Sequence, residues 1–139
     1  MKISERGLAL IRVFEDCVLT AYKDSTGRLT IGYGHTSGVY KGQKITQAEA
    51  DNFLKQDVAI AEMAVLKYNS KYHWNQNQFD ALCSFAFNIG SINNLTKNGT
   101  RTIAQISEKI PEYKKAGGKV SSGLIKRRMA EKELFDKEV

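Results

Sequence analysis

The chain has 139 residues, 42% of them apolar, and carries a net charge of +6, which fits one globular domain that buries roughly two-thirds of its unfolded surface. No apolar run approaches the ~20 residues of a membrane-spanning helix and no secretory signal is visible, so we expect the chain to fold in the cytoplasm. Residues 97–139 hold 11 Lys/Arg against 6 Asp/Glu. This excess predicts either attraction to polyanions or simply a solvated helix face.

The first third of the chain predicts a helix followed by a small β structure. Ser4 is placed as an N-cap and begins a predicted helix over about residues 5–14. Two β-prone segments, at about residues 18–22 and 28–33, flank a turn-forming Asp-Ser-Thr-Gly tetrapeptide. This pattern predicts a hairpin, to which residues 43–45 add a third short strand.

The rest of the chain predicts helices. Thr46 and Glu49 form a capping-box pattern, which begins a long helix that ends near Leu66. Residues 79–89 are apolar nearly all round, as in a central helix, and Gly90 predicts its left-handed C-cap. The chain is therefore predicted to be a mainly helical α+β domain. Shorter helices are predicted at about residues 101–109 and from Leu124 to the C-terminus.

Glu15, Asp24 and Thr30 are the candidate catalytic residues. Glu15 follows the first helix beside apolar neighbours, where partial burial would raise its pKa and let it act as an acid. Asp24 lies on a polar turn that favours ionisation, and the hydroxyl of Thr30 faces it across the predicted hairpin. Two carboxyls with different surroundings suit hydrolysis of a glycosidic bond. Taken singly, each residue is better explained as a helix end, a turn former or a strand residue.

The two cysteines do not indicate a site. Cys17 and Cys83 lack the CxxC or Cys/His spacing of a zinc or redox centre. We expect both to be small buried thiols.

Several motifs together resemble the phage-type lysozyme (endolysin) family of muramidases. The Glu-x8-Asp-x5-Thr spacing continues into Ile-Gly-Tyr-Gly-His at residues 31–35. Residues 46–58 are similar to the family's inter-lobe helix, and residues 77–90 are similar to its central helix. Residues 115–120 and 123–128 are similar to its C-terminal signature. The resemblance covers nearly the whole chain.

The resemblance implies a lysozyme-like fold with two lobes. It implies a single catalytic domain, residues 1–139, with a β-hairpin lobe over about residues 15–45. An inter-lobe helix over about residues 47–66 would join this lobe to a larger helical lobe. That lobe would comprise about residues 76–139 together with the N-terminal helix.

The resemblance also implies an activity and the role of each catalytic residue. It implies hydrolysis of the β-1,4 bond between N-acetylmuramic acid and N-acetylglucosamine, without a metal or an organic cofactor. Glu15 would be the general acid, and Asp24 with Thr30 would position or activate a water. The family pattern implies inversion at the anomeric carbon, whereas the sequence leaves both inversion and retention open.

Four further residues match positions that border the saccharide cleft in the family. Tyr33 and His35 would border it from the β lobe, and Phe87 and Asn88 would border it from the central helix. The alternative for Phe87 is packing in the core. The alternative for His35 is a hydrogen-bonded structural imidazole.

Two arginines and one aromatic residue complete the comparison with the family. Arg127 or Arg128 would lie against Glu15 as a cation, with the register open and surface exposure as the alternative for at least one of them. Tyr113 stands where many family members have tryptophan, and the preceding segment is short and polar. We therefore expect a trimmed helical lobe.

The expected partner is bacterial peptidoglycan. We expect a monomer without a specific nucleic acid or a membrane span, held in the host bacterial cytoplasm before lysis and acting on the cell wall after release by a separate holin-like permeabilising protein. The alternatives are a catalytically silent peptidoglycan-binding module, a small DNA-binding helical protein and a lytic transglycosylase. The intact carboxyls argue against the silent module, and no helix-turn-helix pattern supports DNA binding.

Overall fold

The computed structural model describes all 139 residues, and the fold is α+β and dominated by helices, as predicted. None of the helices combines the length and the apolar character that crossing a membrane requires. The helices are α1 (Glu5–Phe14), α2 (Gln47–Leu66), α3 (Asn69–Tyr72), α4 (Gln76–Ile89), α5 (Asn93–Thr96), α6 (Ile103–Lys109) and α7 (Ser122–Asp136), with a 3-10 helix at Ile110–Glu112. The strands are β1 (Val18–Lys23), β2 (Leu29–Gly32), β3 (Lys115–Ala116) and β4 (Lys119–Val120).

The chain divides into two compact units. The smaller unit comprises residues 12–59, and the larger unit comprises residues 1–11 together with residues 60–139. The division falls within α1 and within α2, so each of these helices contributes residues to both units.

The smaller unit contains the predicted hairpin, in which β1 and β2 pair antiparallel. The predicted third strand at residues 43–45 is wrong, because Lys44 forms only one isolated bridge with Thr20. Hydrogen bonds at Ala21 and Ile45 flank this bridge. The segment cannot extend further as a strand, because a turn precedes it and the cap of α2 begins at Thr46.

The capping box of α2 forms as predicted. The amide of Glu49 donates to Thr46 Oγ1 at 3.1 Å, and the amide of Thr46 donates to Glu49 Oε1 at 3.0 Å. These bonds satisfy backbone groups that a helix end otherwise leaves unpaired. The apolar face that α2 presents within this unit packs with the hairpin in a small core: Ile31, Tyr33, Ile45, Ala50, Leu54 and Val58.

Helix α4 is the central helix of the larger unit, as predicted. It begins at Gln76, earlier than the apolar pattern indicates, because Asn75 and Gln78 form a second capping box. Gly90 ends it with φ of 104°, the left-handed conformation that favours glycine. Nine of the ten residues from Asn77 to Ala86 are buried, so the helix lies inside the unit rather than on its surface.

Ser4 caps α1 by position but not through its side chain. Its carbonyl accepts the first helical hydrogen bond, from the amide of Leu8 at 3.0 Å. Its hydroxyl, however, donates to the carboxylate of Asp80 on α4, and its amide donates to Asp80 Oδ1 at 2.9 Å. The predicted side-chain cap is therefore replaced by a tertiary contact that ties the start of α1 to α4.

Four short elements were not predicted from the sequence. Helices α3 and α5 have four residues each, too few to show a helical period. Strands β3 and β4 have two residues each and are joined by Gly117 and Gly118, both with positive φ. Helix α7 also begins earlier than Leu124, because the hydroxyl of Ser121 accepts the amide hydrogen of Leu124 and caps it.

The two cysteines lie in different environments. Cys83 is buried as predicted, and its burial raises the pKa of the thiol. The prediction of a buried thiol is wrong for Cys17, which is partly exposed, with its sulfur 3.9 Å from Gln47 Oε1. Cys17 lies in the short segment between α1 and β1 rather than within a helix.

Gly7→Ala tests the close approach of α1 to α4. A Cβ at Gly7 would lie 2.9 Å from Asp80 Cβ and 2.5 Å from Ile3 Cγ1, and Asp80 cannot shift easily because Ser4 and Gln76 bond it. We expect a loss of about 1–3 kcal/mol in the free energy of unfolding, measured by urea denaturation.

Gly123→Ala is the matched control, because it also lies in a helix but its Cβ would meet only Ser121 Oγ, at 3.7 Å. The control should be neutral or stabilising, by up to about 1 kcal/mol. Equal effects of the two substitutions would contradict steric crowding at Gly7.

Candidate active site

The Asp24 carboxylate is held by its own turn. Its Oδ1 accepts hydrogen bonds from the Thr26 amide at 2.8 Å, the Thr26 hydroxyl at 2.6 Å and the Arg28 amide at 3.0 Å. The Asp24 amide in turn donates to the Arg28 carbonyl at 2.9 Å and closes the hairpin. This is the local bonding for which aspartate is favoured in turns.

These hydrogen bonds favour the ionised form of Asp24. The Thr26 hydroxyl and then the Arg28 amide lower the pKa of the carboxyl below its ordinary value. The result agrees with the predicted ionisation of Asp24. Because the three bonds from the turn all end on Oδ1, the second oxygen has its acceptor capacity available for a water.

Thr30 is linked to the same turn. Its side chain is buried on β2, and its hydroxyl donates to the Arg28 carbonyl at 3.0 Å. A hydroxyl has one donor and two acceptor positions, so with its hydrogen used in this way it can only accept from a water. Arg28 thus joins the two predicted residues through its backbone, by its amide to Asp24 and by its carbonyl to Thr30.

Glu15 is the first residue beyond α1 and is partly buried. It lies three residues before β1, in the same smaller unit as Asp24 and Thr30. All three predicted catalytic residues therefore belong to one unit. Their catalytic roles stay predictions.

Tyr33 lies in a polar network in this unit. Its phenolic oxygen accepts from Gln47 Nε2 at 3.0 Å, and the same nitrogen donates to Asp51 Oδ1 at 3.1 Å. Burial of the ring raises the pKa of Tyr33 above its ordinary value. Gln47 and Asp51 lie one turn apart on α2 and were not singled out from the sequence. A contact between Tyr33 and a saccharide stays a prediction.

His35 is a buried imidazole with a hydrogen-bonded partner. Its Nδ1 lies 2.8 Å from Asp57 Oδ2, and its ring stacks on Phe53 with 4.1 Å between centroids. Its backbone exchanges two hydrogen bonds of 2.9 Å with Ile31. These contacts match the structural alternative stated for His35, and they tie the turn after β2 to α2. A role toward a saccharide stays a prediction.

The two predicted residues on α4 lie near its end, in the larger unit. Phe87 is partly buried and Asn88 is exposed. The side-chain oxygen of Asn88 accepts a hydrogen bond from Arg128 Nη2 on α7. The structure thus connects two of the predicted site residues, Asn88 and Arg128, that the sequence did not relate to each other.

Arg127 and Arg128 are both buried, with exposed fractions of 3% and 0%, so the alternative of surface exposure is wrong for both. Both pair with Glu131, which is itself 0% exposed: Arg127 Nε lies 3.2 Å from Oε2, and Arg128 Nη1 lies 3.2 Å from Oε1. Ser84 on α4 donates its hydroxyl to Glu131 Oε2 at 2.6 Å. An approach of either arginine to Glu15 stays a prediction.

Sequence reasoning missed Glu131, although its spacing gives a signal. It lies four residues after Arg127 and three after Arg128, the distances at which side chains meet on a helix.

We name Arg127, Arg128, Glu131 and Ser84 the buried ion cluster. Burial raises the pKa of Glu131, while Arg128, Ser84 and Arg127 oppose that shift. Burial also lowers the pKa of Arg128.

No three His, Cys, Asp or Glu side chains come together in a group that could hold a metal ion. The buried ion cluster has only one such residue, and the Asp24 turn also has only one.

Comparisons with known proteins agree on one family. The family model described as phage lysozyme matches residues 12–131. The endolysin of Lactococcus phage c2 is 43% identical over all of this chain, which spans 62% of that relative's length. The endolysin of Acyrthosiphon pisum secondary endosymbiont phage 1 is 42% identical, over 98% of this chain and 99% of the relative.

A solved structure shows the same fold over the same length. The muramidase domain of SpmX from Asticaccaulis excentricus has a TM-score of 0.84 and 35% sequence identity, and the match covers 99% of both chains.

Glu131→Gln tests the buried ion cluster. The substitution removes the buried carboxylate that pairs with both buried guanidinium groups, so we expect the free energy of unfolding to fall by about 3–5 kcal/mol. Chemical denaturation followed by circular dichroism measures it.

Glu133→Gln is the control, because Glu133 lies on the same helix but is exposed. A change within about 0.5 kcal/mol is expected there. A Glu131→Gln protein as stable as the parent would show that the arginines do not depend on this carboxylate.

Proposed function

This chain belongs to the phage lysozyme family, and from that premise we propose that it is a muramidase that hydrolyses bacterial peptidoglycan. The bond cleaved is the β-1,4 bond between N-acetylmuramic acid and N-acetylglucosamine. The observation that carries the proposal is the Asp24 turn, where three hydrogen bonds on one oxygen keep the carboxylate ionised. An ionised carboxylate and an accepting hydroxyl that are both bonded to the backbone of Arg28 can together direct a water.

In the proposed reaction, Glu15 acts as the general acid. Its carboxylic acid donates a proton to the glycosidic oxygen as the bond to the anomeric carbon breaks. A water then bonds to the anomeric carbon and gives a proton to the Asp24 carboxylate, which passes it to solvent. Glu15 ends the step ionised and must be protonated again before the next cycle.

Asp24 and Thr30 orient that water. The second oxygen of Asp24 and the lone pairs of the Thr30 hydroxyl are hydrogen-bond acceptors, because the Thr30 hydrogen is used by the Arg28 carbonyl. A water that donates one hydrogen to each of them presents its own lone pair to the sugar. Direct attack by this water gives inversion of the anomeric carbon, which NMR of the first product formed would establish.

We extend the proposal to the organisation and setting of the protein. The chain acts as a single lysozyme-like catalytic domain over residues 1–139, as a monomer and without a cofactor. It is held in the host cytoplasm until a separate holin-like protein permeabilises the membrane, and it then acts on the cell wall and causes lysis. The endolysin names of its relatives support this setting.

Glu15→Gln tests the general acid. Glutamine cannot donate the proton, so we expect the rate of peptidoglycan hydrolysis to fall by at least about 10²-fold. Reducing ends released from purified cell walls measure the rate, and mass spectrometry of the fragments identifies the bond that is cut. Asp16→Asn, which removes the same charge from the next, exposed residue, should keep the parent rate.

The same experiment separates the alternatives. Fragments with 1,6-anhydromuramic ends in place of reducing ends would indicate a lytic transglycosylase. A parent protein that binds cell walls without releasing fragments would indicate a silent binding module. A Glu15→Gln protein as fast as the parent would remove Glu15 from the role of acid.

Thr26→Val tests the ionisation of Asp24. The Thr26 hydroxyl stabilises the carboxylate, so its loss raises the pKa of Asp24 toward the ordinary value. Activity that needs the ionised form should then be lost at a higher pH on the acidic side. The pH profile of kcat/KM should show its acidic limb displaced upward, with the rate near neutral pH little changed.

Ser25→Ala is the control within the same turn, because Ser25 is exposed and gives no hydrogen bond to Asp24. The acidic limb of the kcat/KM profile of the Ser25→Ala protein should coincide with that of the parent. An unmoved acidic limb in Thr26→Val would mean that Asp24 does not set it.

A further inference from the structure

A polar cavity of about 410 Å³ lies in the larger unit, between the turn after α5 and helix α6. The residues that line it are all polar or charged: Lys97, Thr100, Arg101, Gln105, Glu108 and Lys109. Three of these side chains are cationic and one is a carboxylate. We name it the Arg101 cavity. None of the residues of the proposed reaction lines it, so that reaction gives it no role.

Arg101 is held in position by the backbone around it. Its Nη1 donates to the carbonyls of Asn94 and Leu95, at 3.2 and 3.0 Å. Its own carbonyl accepts the hydroxyl of Tyr72 at 2.6 Å. A guanidinium group also carries N–H groups on Nε and Nη2. These donors remain for a ligand, and the anchored side chain loses little further freedom when it binds one.

Gln105 presents its NH₂ group as a second fixed donor. Its Oε1 accepts from the amide of Thr102 at 2.9 Å, and its own amide donates to Thr102 Oγ1 at 3.1 Å. Because a backbone amide only donates, the oxygen of the carboxamide must face Thr102. The NH₂ group is therefore the end of this exposed side chain that is left for a ligand.

The lysines in and beside the cavity add positive charge. Lys97 is exposed on the turn. Lys109 pairs with Glu112 at 3.1 Å, but the two side chains are 39% and 61% exposed, and an exposed ion pair is weak enough to exchange partners. Lys71 lies beside the turn, since its Cδ would be 3.6 Å from a Cβ at Gly99. These cations outnumber the single carboxylate of the lining.

We propose that the Arg101 cavity binds the phosphodiester groups of a polyol phosphate polymer. The inference goes beyond the proposed function, and the binding itself does not depend on it. Guanidinium and ammonium groups recognise anionic oxygens, and donors that line a cavity from a turn and from a helix suit a tetrahedral phosphate better than a planar carboxylate. A chain with one charge in every repeat can also match cations that are spread from Lys71 to Lys109. Attached to the cell wall, such a polymer would hold the enzyme close to the bonds of the proposed reaction.

The aromatic side chains near the cavity do not favour a nucleic acid. No aromatic residue is part of the lining. Tyr72, whose hydroxyl bonds the Arg101 carbonyl, stacks its ring on Trp74 with 4.6 Å between centroids. The hydroxyl of Tyr68 is bonded to Asn93. Single-stranded nucleic acid is bound through aromatic side chains on which its bases stack. The surface therefore favours a phosphodiester chain without bases.

Gln105→Glu tests the fixed donor without removing the helix cap. An oxygen of the glutamate can still accept from the Thr102 amide, but the side chain has no N–H and adds a negative charge. We expect the Kd for poly(glycerol phosphate), measured by calorimetric titration of the full chain at low salt, to rise by about tenfold. Lys97→Gln, which removes an exposed charge, should raise this Kd by about threefold.

Gln78→Glu is the matched control. Gln78 fills the same position in the capping box of α4, where its Oε1 accepts from the Asn75 amide at 3.0 Å. It belongs to the same unit but does not line the cavity, and the substitution changes the net charge equally. The control should keep the parent Kd. An equal rise of Kd in both proteins would show only an effect of net charge and would overturn the site.

NMR of the parent protein locates the site. Poly(glycerol phosphate) should shift the amide signals of residues 97–109, and inorganic phosphate should shift the same signals only at a higher concentration. Shifts confined to other residues would overturn the site. Inorganic phosphate that binds as tightly as the polymer would overturn the polymer as its ligand and indicate a site for the free ion.

Two other polyanions test the choice of polymer. Oligodeoxythymidylate that binds as tightly as poly(glycerol phosphate) would overturn the proposal in favour of a nucleic-acid site. Polyglutamate that binds as tightly would overturn it in favour of a general attraction to anions. Poly(glycerol phosphate) has no glycosidic bond, so its binding is decided independently of whether the parent releases peptidoglycan fragments.

Discussion

Glu131 is a completely buried carboxylate, and the larger unit is arranged around the need to pair it. Apolar burial stabilises this unit without direction, whereas the buried ion cluster has a fixed geometry. Ser84 on α4 and the two arginines on α7 meet the same carboxylate. The two ion pairs lie within α7, so a shift of α7 along α4 would keep them, but it would break the hydrogen bonds of Glu131 and Arg127 with Ser84 and leave buried polar groups without partners, which is unfavourable. These bonds to Ser84 therefore favour one register between the two longest helices of residues 60–139.

The smaller unit holds the Asp24 carboxylate differently. Asp24 is bonded by Thr26 and Arg28, which lie within four residues of it. No distant residue supplies these bonds, so the hairpin turn prepares the carboxylate by itself. The outcome for ionisation is opposite to that at Glu131: hydrogen bonds lower the pKa of Asp24, and burial raises the pKa of Glu131. Both carboxylates have partners within four residues along the chain, but Glu131 also depends on Ser84, which lies 47 residues away on another helix.

The accuracy of the sequence predictions follows the same distinction. The capping box of Thr46 and Glu49, the hairpin turn at Asp24 and the C-cap at Gly90 were all confirmed. Each depends on residues at most four positions apart, so the pattern contains every group that takes part. Elements of two to four residues, such as β3 and α5, escaped prediction because they are too short to show a period.

The sequence alone determined the mainly helical α+β fold, the hairpin, the main helices and the family motif that contains Glu15, Asp24 and Thr30. Only the tertiary structure decided which polar groups are buried and what they contact. It placed Arg127 and Arg128 in the interior, turned the Ser4 hydroxyl from its helix to Asp80, and reduced the predicted third strand to a single bridge at Lys44. The reason is physical: local hydrogen bonds are encoded by neighbouring residues, whereas burial and contacts between distant residues depend on segments that meet only when the chain has folded.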